Sequence, residues 1–179
     1  TALDYIAIGD IYQVQIGHEL TIETEATPNE VYTRLRARNP APYMYLARFD
    51  EVAVIGASPE VFVRIEDGLV TMRPLAGTVP RSGAPAIDKH RSDAMLADPK
   101  EVAEHIMLVD LERNDISRVC IPGSVHVNEM MVVESYAHGH HIVSNVRGEL
   151  ASAITPGEVV RAVFPGGTIT GCARRLKEL

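Results

Sequence analysis

The sequence is poor in cysteine and in positive charge, and it has no long hydrophobic run. Its two cysteines, Cys120 and Cys172, form no spaced framework, which indicates a reducing compartment, although the two thiols can still pair. A membrane-spanning helix needs about 20 consecutive apolar residues, and no apolar run in this sequence is that long. The first residues lack the layout of a signal peptide. We therefore expect a cytoplasmic protein without membrane contact.

The shortage of positive charge also limits the choice of partners. The net charge is −7, so the sequence lacks the basic surface of a nucleic-acid-binding protein. An anionic substrate needs local positive charge or a metal ion to offset this overall field. The chain has 179 residues, of which 46% are hydrophobic and 23% charged, and no repeats. This composition predicts one globular domain with its own core.

The segment 98–118 has the pattern of a long amphipathic helix. Asp98 can act as the N-cap, Pro99 suits the first helical position, and Glu101 is placed to close a capping box. Apolar residues recur at helical spacing and predict a buried stripe of Val102, Ile106 and Val109.

Two carboxylates project from one side of this predicted helix. Glu101 and Glu104 are three residues apart, so their side chains leave neighbouring points on the helix surface. A hard cation such as Mg2+ takes carboxylate oxygens and relieves their repulsion. The alternative is a solvated helix edge, which is the commoner explanation for such a pair taken alone.

The rest of the chain predicts an α+β fold in which antiparallel β-sheets are covered by helices. Alternating or apolar segments bounded by turn residues predict strands, and Thr-Pro-X-Glu segments predict helix starts. We expect strands over 11–16, 19–25, 43–49, 52–57, 61–65, 69–72, 124–135 and 142–150, with helices over 2–8, 87–95 and after Thr27 and Thr155.

A rigid break interrupts the predicted meander at Ser58-Pro59-Glu60. Pro59 cannot donate a hydrogen bond to a sheet, so the chain leaves regular pairing there. Glu60 precedes the apolar residues Val61 and Phe62, and such surroundings can raise the pKa of a carboxyl so that it acts as an acid. The alternative is a turn glutamate in water.

Two further segments are candidates for ligand binding. His138, His140 and His141 form a cluster that permits a zinc site, although a polar strand end is the commoner explanation. The glycine-rich turn 166–171 precedes a predicted helical tail and can present N–H groups to an anion. It can equally be a flexible connection.

Seven segments occur in a fixed order along the chain: Gly-Asp-Ile-Tyr-Gln-Val (9–14), Ser-Pro-Glu (58–60), Arg-Pro-Leu-Ala-Gly-Thr (73–78), Lys-Glu-Val-Ala-Glu-His-Ile-Met-Leu-Val-Asp-Leu-Glu-Arg-Asn-Asp (100–115), Arg-Val-Cys-Ile-Pro-Gly-Ser-Val (118–125), His-Ile-Val-Ser (141–144) and Gly-Gly-Thr-Ile-Thr-Gly (166–171). Taken in this order, they resemble the chorismate-utilising enzymes, which include anthranilate synthase component I, aminodeoxychorismate synthase component I and the isochorismate and salicylate synthases. The resemblance covers nearly the whole chain.

The resemblance implies a cleft between sheet and helices in which Mg2+ holds the carboxylate of chorismate. By position, Glu104 resembles a direct metal ligand and Glu101 a ligand through water. Glu60 resembles the general acid that protonates the departing C4 hydroxyl, and His141 the histidine at the ring that assists pyruvate loss. The implied substrate contacts are Gln13, Gly77, Thr78, Gly167 and Thr168.

Two positions favour one reaction within this family. Members that use water as the nucleophile place a lysine at the Gln13 position, and Gln13 cannot act as a base, which favours ammonia. Some aminodeoxychorismate synthases have a lysine at the Ala76 position that acts as a covalent nucleophile, and an alanine cannot take that role. The resemblance therefore favours anthranilate formation, with 4-amino-4-deoxychorismate as the alternative. It also implies that ammonia comes from a glutamine amidotransferase subunit or domain.

The chain departs from the family pattern at its two ends. We expect a partial catalytic domain without the family's N-terminal region and its C-terminal segment, which supplies the second metal glutamate. After Gly171, Ala173 and Arg174 stand where the family has Pro-Lys. A second hypothesis is therefore an inactive fragment or binding module, and unpaired sheet edges would favour association of copies of this chain.

Overall fold

A computed structural model describes residues 1–11, 13–14, 17–137 and 139–170. The described elements, in chain order, are α1 (Ala2–Ala7), α2 (Pro28–Arg38), β1 (Tyr43–Phe49), β2 (Val52–Ser58), β3 (Arg64–Glu66), β4 (Leu69–Met72), β5 (Leu75–Pro80), α3 (Pro85–Ala97), α4 (Pro99–Ser117), β6 (His126–Ser135), β7 (Gly139–Glu149), α5 (Pro156–Val163) and α6 (Gly167–Thr170). No described helix combines the length and the apolar character that crossing a membrane requires.

Strand β7 is the centre of a five-stranded antiparallel sheet. Strand β6 pairs with one side of it, while β4 and β5 lie end to end along the other side, and β3 extends the sheet beyond β4. Helix α4 packs against β7, β5 and β4. Because it has strands on both sides and a helix against it, β7 is buried over most of its length.

Strands β1 and β2 form a separate antiparallel ribbon against which α2 packs. The turn between them begins at Asp50, whose φ of 44° is tolerated by aspartate in tight turns. The face of the ribbon that carries Tyr45, Phe49, Val52 and Val54 is exposed.

The hydrophobic core lies between the large sheet and the helices α4 and α5. Its buried members are Val70, Met72, Val109, Ile116, Val119, Cys120, Val146, Val159 and Val163. Burying one aliphatic side chain of this size contributes about 1.5–3 kcal/mol. This cluster holds α4 against the sheet and so sets the position of every side chain on that helix.

The predicted fold class is confirmed, and most element positions agree with the sequence pattern. The capping boxes at Thr27 and Thr155 open α2 and α5. Asp98 caps α4 by accepting a hydrogen bond from the Lys100 N–H. Strand β7 begins at Gly139, three residues earlier than expected, because Gly139 and His140 pair with β5 and His140 and His141 pair with β6.

The predicted apolar stripe of α4 is confirmed at Val109, which is buried, and wrong at Ile106. Ile106 is 45% exposed, whereas the buried face consists of His105, Leu108, Val109, Glu112, Asp115 and Ile116. The sheet supplies a polar partner for one residue of this face: His105 Nε2 lies 2.6 Å from the Ser144 hydroxyl. A mixed face can therefore be buried in place of a purely apolar one.

Several strand predictions also fail. Residues 19–25 form no strand, since no neighbouring strand pairs with them. The prediction over 61–65 reduces to Arg64–Glu66 because the chain is still in the loop after Pro59. Of 11–16, the described Ile11, Gln13 and Val14 belong to no strand. The glycine-rich turn becomes α6, and the predicted tail after Gly171 lies outside the described residues.

Candidate functional site

Glu60 lies in the loop that follows β2, and local hydrogen bonds hold its backbone. The Ser58 hydroxyl accepts from the Glu60 N–H at 3.2 Å and donates to the Glu60 carbonyl at 2.8 Å. The carboxyl accepts one hydrogen bond, from the Leu75 N–H at 3.3 Å. Burial raises the pKa of Glu60 to about 7, and this hydrogen bond only partly opposes the rise. Glu60 can therefore carry a proton near neutral pH, as the sequence pattern suggested.

A cavity of about 250 Å³ opens beside Glu60. Its wall includes Tyr43, Arg73, Glu134 and Tyr136. Arg73 pairs with Glu129 at 2.8 Å and also with Glu134, to which the Tyr136 hydroxyl donates at 2.6 Å. The guanidinium is thus already neutralised by carboxylates, so the cavity gains little net positive charge from it.

His141 in β7 is oriented by the strand beside it. Its Nδ1 lies 3.0 Å from the Gly77 carbonyl oxygen and 3.1 Å from the Thr78 hydroxyl. Because a carbonyl can only accept, Nδ1 carries the hydrogen in the neutral ring and Nε2 carries the lone pair. The Tyr136 ring packs edge-on at 5.4 Å. His141 is therefore presented as a base or hydrogen-bond acceptor through Nε2.

Gly77 lies at an irregularity in the pairing of β5 with β7 and has a φ of 63°. A Cβ at this position would lie 3.0 Å from Met95 Sδ and 3.3 Å from both Glu101 Oε2 and Ile142 Cδ1. The absence of a side chain thus lets β5, α3, α4 and β7 meet closely at the point that orients His141.

Glu101 and Glu104 converge on one positive charge. The Lys100 ammonium lies 3.0 Å from Glu101 Oε1 and 3.0 Å from Glu104 Oε2. The hydrogen bonds to these carboxylates raise the pKa of Lys100 above its usual range. The two carboxylates therefore point to one place that suits a cation, and two carboxylates supplemented by water are a donor set that Mg2+ accepts.

Gly167 and Thr168 begin the short helix α6, which lies against α4. The Gly167 N–H donates to Asp115 Oδ2 at 3.0 Å, so this amide is satisfied within the chain. Its predicted contact with substrate stays a prediction. Thr168 lines a second cavity, of about 150 Å³, together with Glu60 and Glu112.

Six of the nine predicted site residues fall into two groups. Glu60 and Thr168 share one cavity, while His141, Gly77, Thr78 and Glu101 meet at the β5–β7 junction. The two groups adjoin, because a third cavity that His141 lines shares Pro59 and Tyr136 with the cavity beside Glu60.

Gln13 is the remaining predicted substrate contact. Its amide oxygen is buried without a hydrogen-bond partner among the described residues. No contact described in the structure joins Gln13 to either group, so its predicted substrate contact stays a prediction.

The sequence pattern did not single out Glu112, Arg73 or Tyr136. Glu112 is the clearest omission, since it follows Glu104 by eight residues on the same face of α4. That spacing was a usable signal, but the predicted apolar stripe ran through Ile106, which lies on a different side of the helix from Glu112. Arg73 and Tyr136 offered no signal, because their place at the cavity depends on sheet pairing.

The zinc alternative gains no support from the described part of the chain. His140 lies 3.6 Å from Asp88 and its Nδ1 is 2.8 Å from the Ser135 hydroxyl. His138 lies outside the described residues. Among the residues that are described, no group of three or more His, Cys, Asp or Glu side chains is arranged to hold a metal ion.

The described residues thus bring a protonatable glutamate, an oriented histidine and a converging carboxylate pair on α4 close to one antiparallel sheet, which is an enzyme-like arrangement. The chain belongs to the chorismate binding enzyme family, whose model matches residues 1–175. The resemblance seen in the sequence motifs is thereby confirmed.

Two curated relatives show which kinds of synthase this chain is similar to. The chain is 55% identical over 172 residues to a 2-amino-4-deoxychorismate synthase of Streptomyces globisporus and 47% identical over 171 residues to anthranilate synthase component 1 of Pseudomonas putida. Each match covers 96% of this chain and 35% of the relative. A crystal structure of anthranilate synthase component I from Streptococcus pneumoniae TIGR4 superposes with a TM-score of 0.85 at 37% identity, covering 99% of this chain and 40% of that one. This chain therefore spans about a third of the length of its curated relatives.

Proposed function

We propose that this chain takes part in the amination of chorismate at C2, with loss of the C4 hydroxyl and of pyruvate, to give anthranilate. The observation that carries the proposal is the Glu60 carboxyl, whose burial raises its pKa to about 7 on a cavity wall. Hydroxide is a poor leaving group, so this reaction needs an acid at C4 that is still protonated near neutral pH.

The side chains divide the work as follows. Glu60 gives its proton to the C4 hydroxyl, which leaves as water while ammonia adds at C2. His141 Nε2, held as an acceptor by the Gly77 carbonyl, assists the later loss of pyruvate by taking or ordering a proton at the ring. The Thr78 and Thr168 hydroxyls serve as hydrogen-bonding groups for the substrate.

Glu104 and Glu101 are the residues that would hold Mg2+, the first directly and the second through water. The ion would supply the positive charge that a carboxylate substrate needs in a protein of net charge −7. The Lys100 contacts support this assignment, because they show that both carboxylates reach one cation.

Ammonia is the proposed nucleophile, delivered by a glutamine amidotransferase subunit or domain. The sequence supports this assignment because Gln13 cannot activate water. The relatives named anthranilate synthase component 1 support it as well, since "component 1" denotes one part of a larger assembly.

A second candidate function retains the pyruvyl group. One relative is named 2-amino-4-deoxychorismate synthase at 55% identity, and that name places the amine at C2 and removes the C4 oxygen without loss of pyruvate. Both candidates require the same acid at C4. They differ in whether the later loss of pyruvate, which His141 would assist, takes place.

The test combines binding with analysis of the products. Calorimetry measures chorismate binding to this chain with and without Mg2+, and the chain is then incubated with chorismate, ammonium and Mg2+. Anthranilate fluorescence together with released pyruvate supports the first candidate. An aminated product without pyruvate supports the second, and binding without turnover supports a binding module. The E60Q variant should still bind chorismate but form no product, and failure of chorismate to bind wild-type protein contradicts the whole proposal.

A further inference from the structure

Glu112 is a buried carboxyl without a full set of partners. It is 2% exposed, and its Oε2 atom has no hydrogen-bond partner among the described residues. It lines the cavity of about 150 Å³ that Glu60 and Thr168 also line. A buried polar atom that faces a cavity in this way needs a physical explanation, because leaving it unpaired costs about 1–3 kcal/mol.

The charged groups that face Glu112 are all acidic. Asp115 lies on the same helix, and Glu60 comes from the loop before β3, while the other walls carry Thr168, Phe62 and Met72. Arg118 is the nearby base, but it pairs with Asp115 at 3.3 Å and donates to the Ala162 carbonyl at 3.0 Å. Nothing among the described lining residues therefore stabilises an ionised Glu112.

These surroundings decide the charge of Glu112. Burial, then the charges of Glu60 and Asp115, raise the pKa of Glu112 to about 9. Glu112 thus keeps its proton at a pH at which an ordinary glutamate has lost it, and it remains a hydrogen-bond donor inside the cavity.

We propose that Glu112 is a positioning residue for Glu60: the two carboxyl groups share the cavity and retain one proton between them after Glu60 has given its own away. The inference rests on the proposed function for the use of that acid. When the proton passes from Glu60 to the departing C4 oxygen, a carboxylate forms on Glu60. The remaining Glu112 proton can then donate to that carboxylate, and an O–H···O⁻ hydrogen bond is stronger than one between neutral groups.

The proposal is tested by titrating the two carboxyls without any ligand. The 179-residue chain is labelled with glutamate carrying 13C at the carboxyl carbon, and its NMR spectrum is followed from pH 5 to pH 11. The E60Q and E112Q variants assign the two signals, and E51Q, in the exposed β1–β2 turn, is the matched control. We expect two glutamates that titrate late in the wild type and in E51Q.

The decisive result is the change in Glu112 when Glu60 loses its charge. In E60Q the apparent pKa of Glu112 should fall by about one unit or more, as for two interacting sites. An unchanged Glu112 titration in E60Q overturns the proposal, as does a Glu112 that is already ionised at pH 6. Since chorismate is absent, failure here is distinct from failure of the proposed function.

A stability measurement separates this role from plain packing. E112Q keeps the size of the neutral acid, so it should unfold like the wild type near pH 4, where the folded and unfolded chains both keep the Glu112 proton. It should be more stable than the wild type at pH 9, because the unfolded wild type loses this proton above pH 4.5 whereas the folded protein keeps it up to about pH 9. Equal destabilisation of E112Q at both pH values would mean that Glu112 serves packing only and would contradict the proposal.

Discussion

Replacing Gly77 by alanine should damage both the fold and the site, and the structure allows the cost to be divided into two parts. The first part is backbone strain, because Gly77 has a φ of 63°. The second is crowding, because a Cβ would lie 3.0 Å from Met95 Sδ and 3.3 Å from Ile142 Cδ1. Met95 is 4% exposed and Ile142 is fully buried, so neither can move into solvent.

Gly83 provides the matched control. It also has a left-handed backbone, with a φ of 78°, but a Cβ there would have no atom within 4 Å. Gly83→Ala therefore carries the strain alone, about 1 kcal/mol. Gly77→Ala adds overpacking and should lower the free energy of unfolding by about 2 to 4 kcal/mol in total.

Urea unfolding followed by circular dichroism measures the difference between the two variants. We expect the unfolding midpoint of Gly77→Ala to lie well below that of Gly83→Ala. Equal midpoints would contradict the prediction, because they would mean that crowding at Gly77 does not lower the free energy of unfolding. Because Glu101 Oε2 also lies 3.3 Å from the added Cβ, Gly77→Ala should weaken Mg2+ binding, whereas Gly83→Ala should not.

Three further predictions concern the pH dependence, the core and the metal site. The pKa of Glu60 is about 7 in the folded state and 4.5 in an unperturbed glutamate, so its buried proton stabilises the fold below pH 4.5, and this contribution of up to about 3 kcal/mol is lost as the pH rises through 7. E60Q should match the wild type in urea unfolding at pH 4 and exceed it at pH 8; a variant no more stable at pH 8 contradicts the assignment. Ile116→Ala, at a fully buried position, should cost about 2–5 kcal/mol in the same assay. The control Ile121→Ala, at a position that is 44% exposed, should cost far less, and similar costs would contradict the placement of α4 in the core. In calorimetric titration, E104Q should weaken Mg2+ binding more than E101Q, since direct ligation is lost; wild-type affinity in both variants would refute the metal assignment.

Much of the local structure could be predicted because local interactions determine it. The cap of α2 needs only Thr27 and Glu30, which lie three residues apart and satisfy each other's hydrogen bonds. The β1–β2 hairpin likewise needs only two adjacent strands and a turn at Asp50. The predicted site residues could be identified from the family motifs, because each motif fixes the place of its site residue in the chain.

The predictions that failed depended on partners far away in the sequence. Residues 19–25 have strand-like composition, but a strand exists only where another strand accepts its hydrogen bonds, and none does so there. Helical periodicity predicted a buried apolar stripe through Ile106. The sheet instead packs against the face of α4 that carries His105 and Glu112, because Ser144 and the core valines lie on that side.

The sequence by itself determined where helices begin, the α+β class and the family to which the chain belongs, since each follows from residues that are close together or in fixed order. Only the tertiary structure decided which face of α4 is buried and which acids meet. Glu60 and Glu112 are 52 residues apart and share a cavity only because the sheet and α4 pack together. That packing excludes water from both carboxyl groups and so raises their pKa values, and no local sequence pattern predicts this burial.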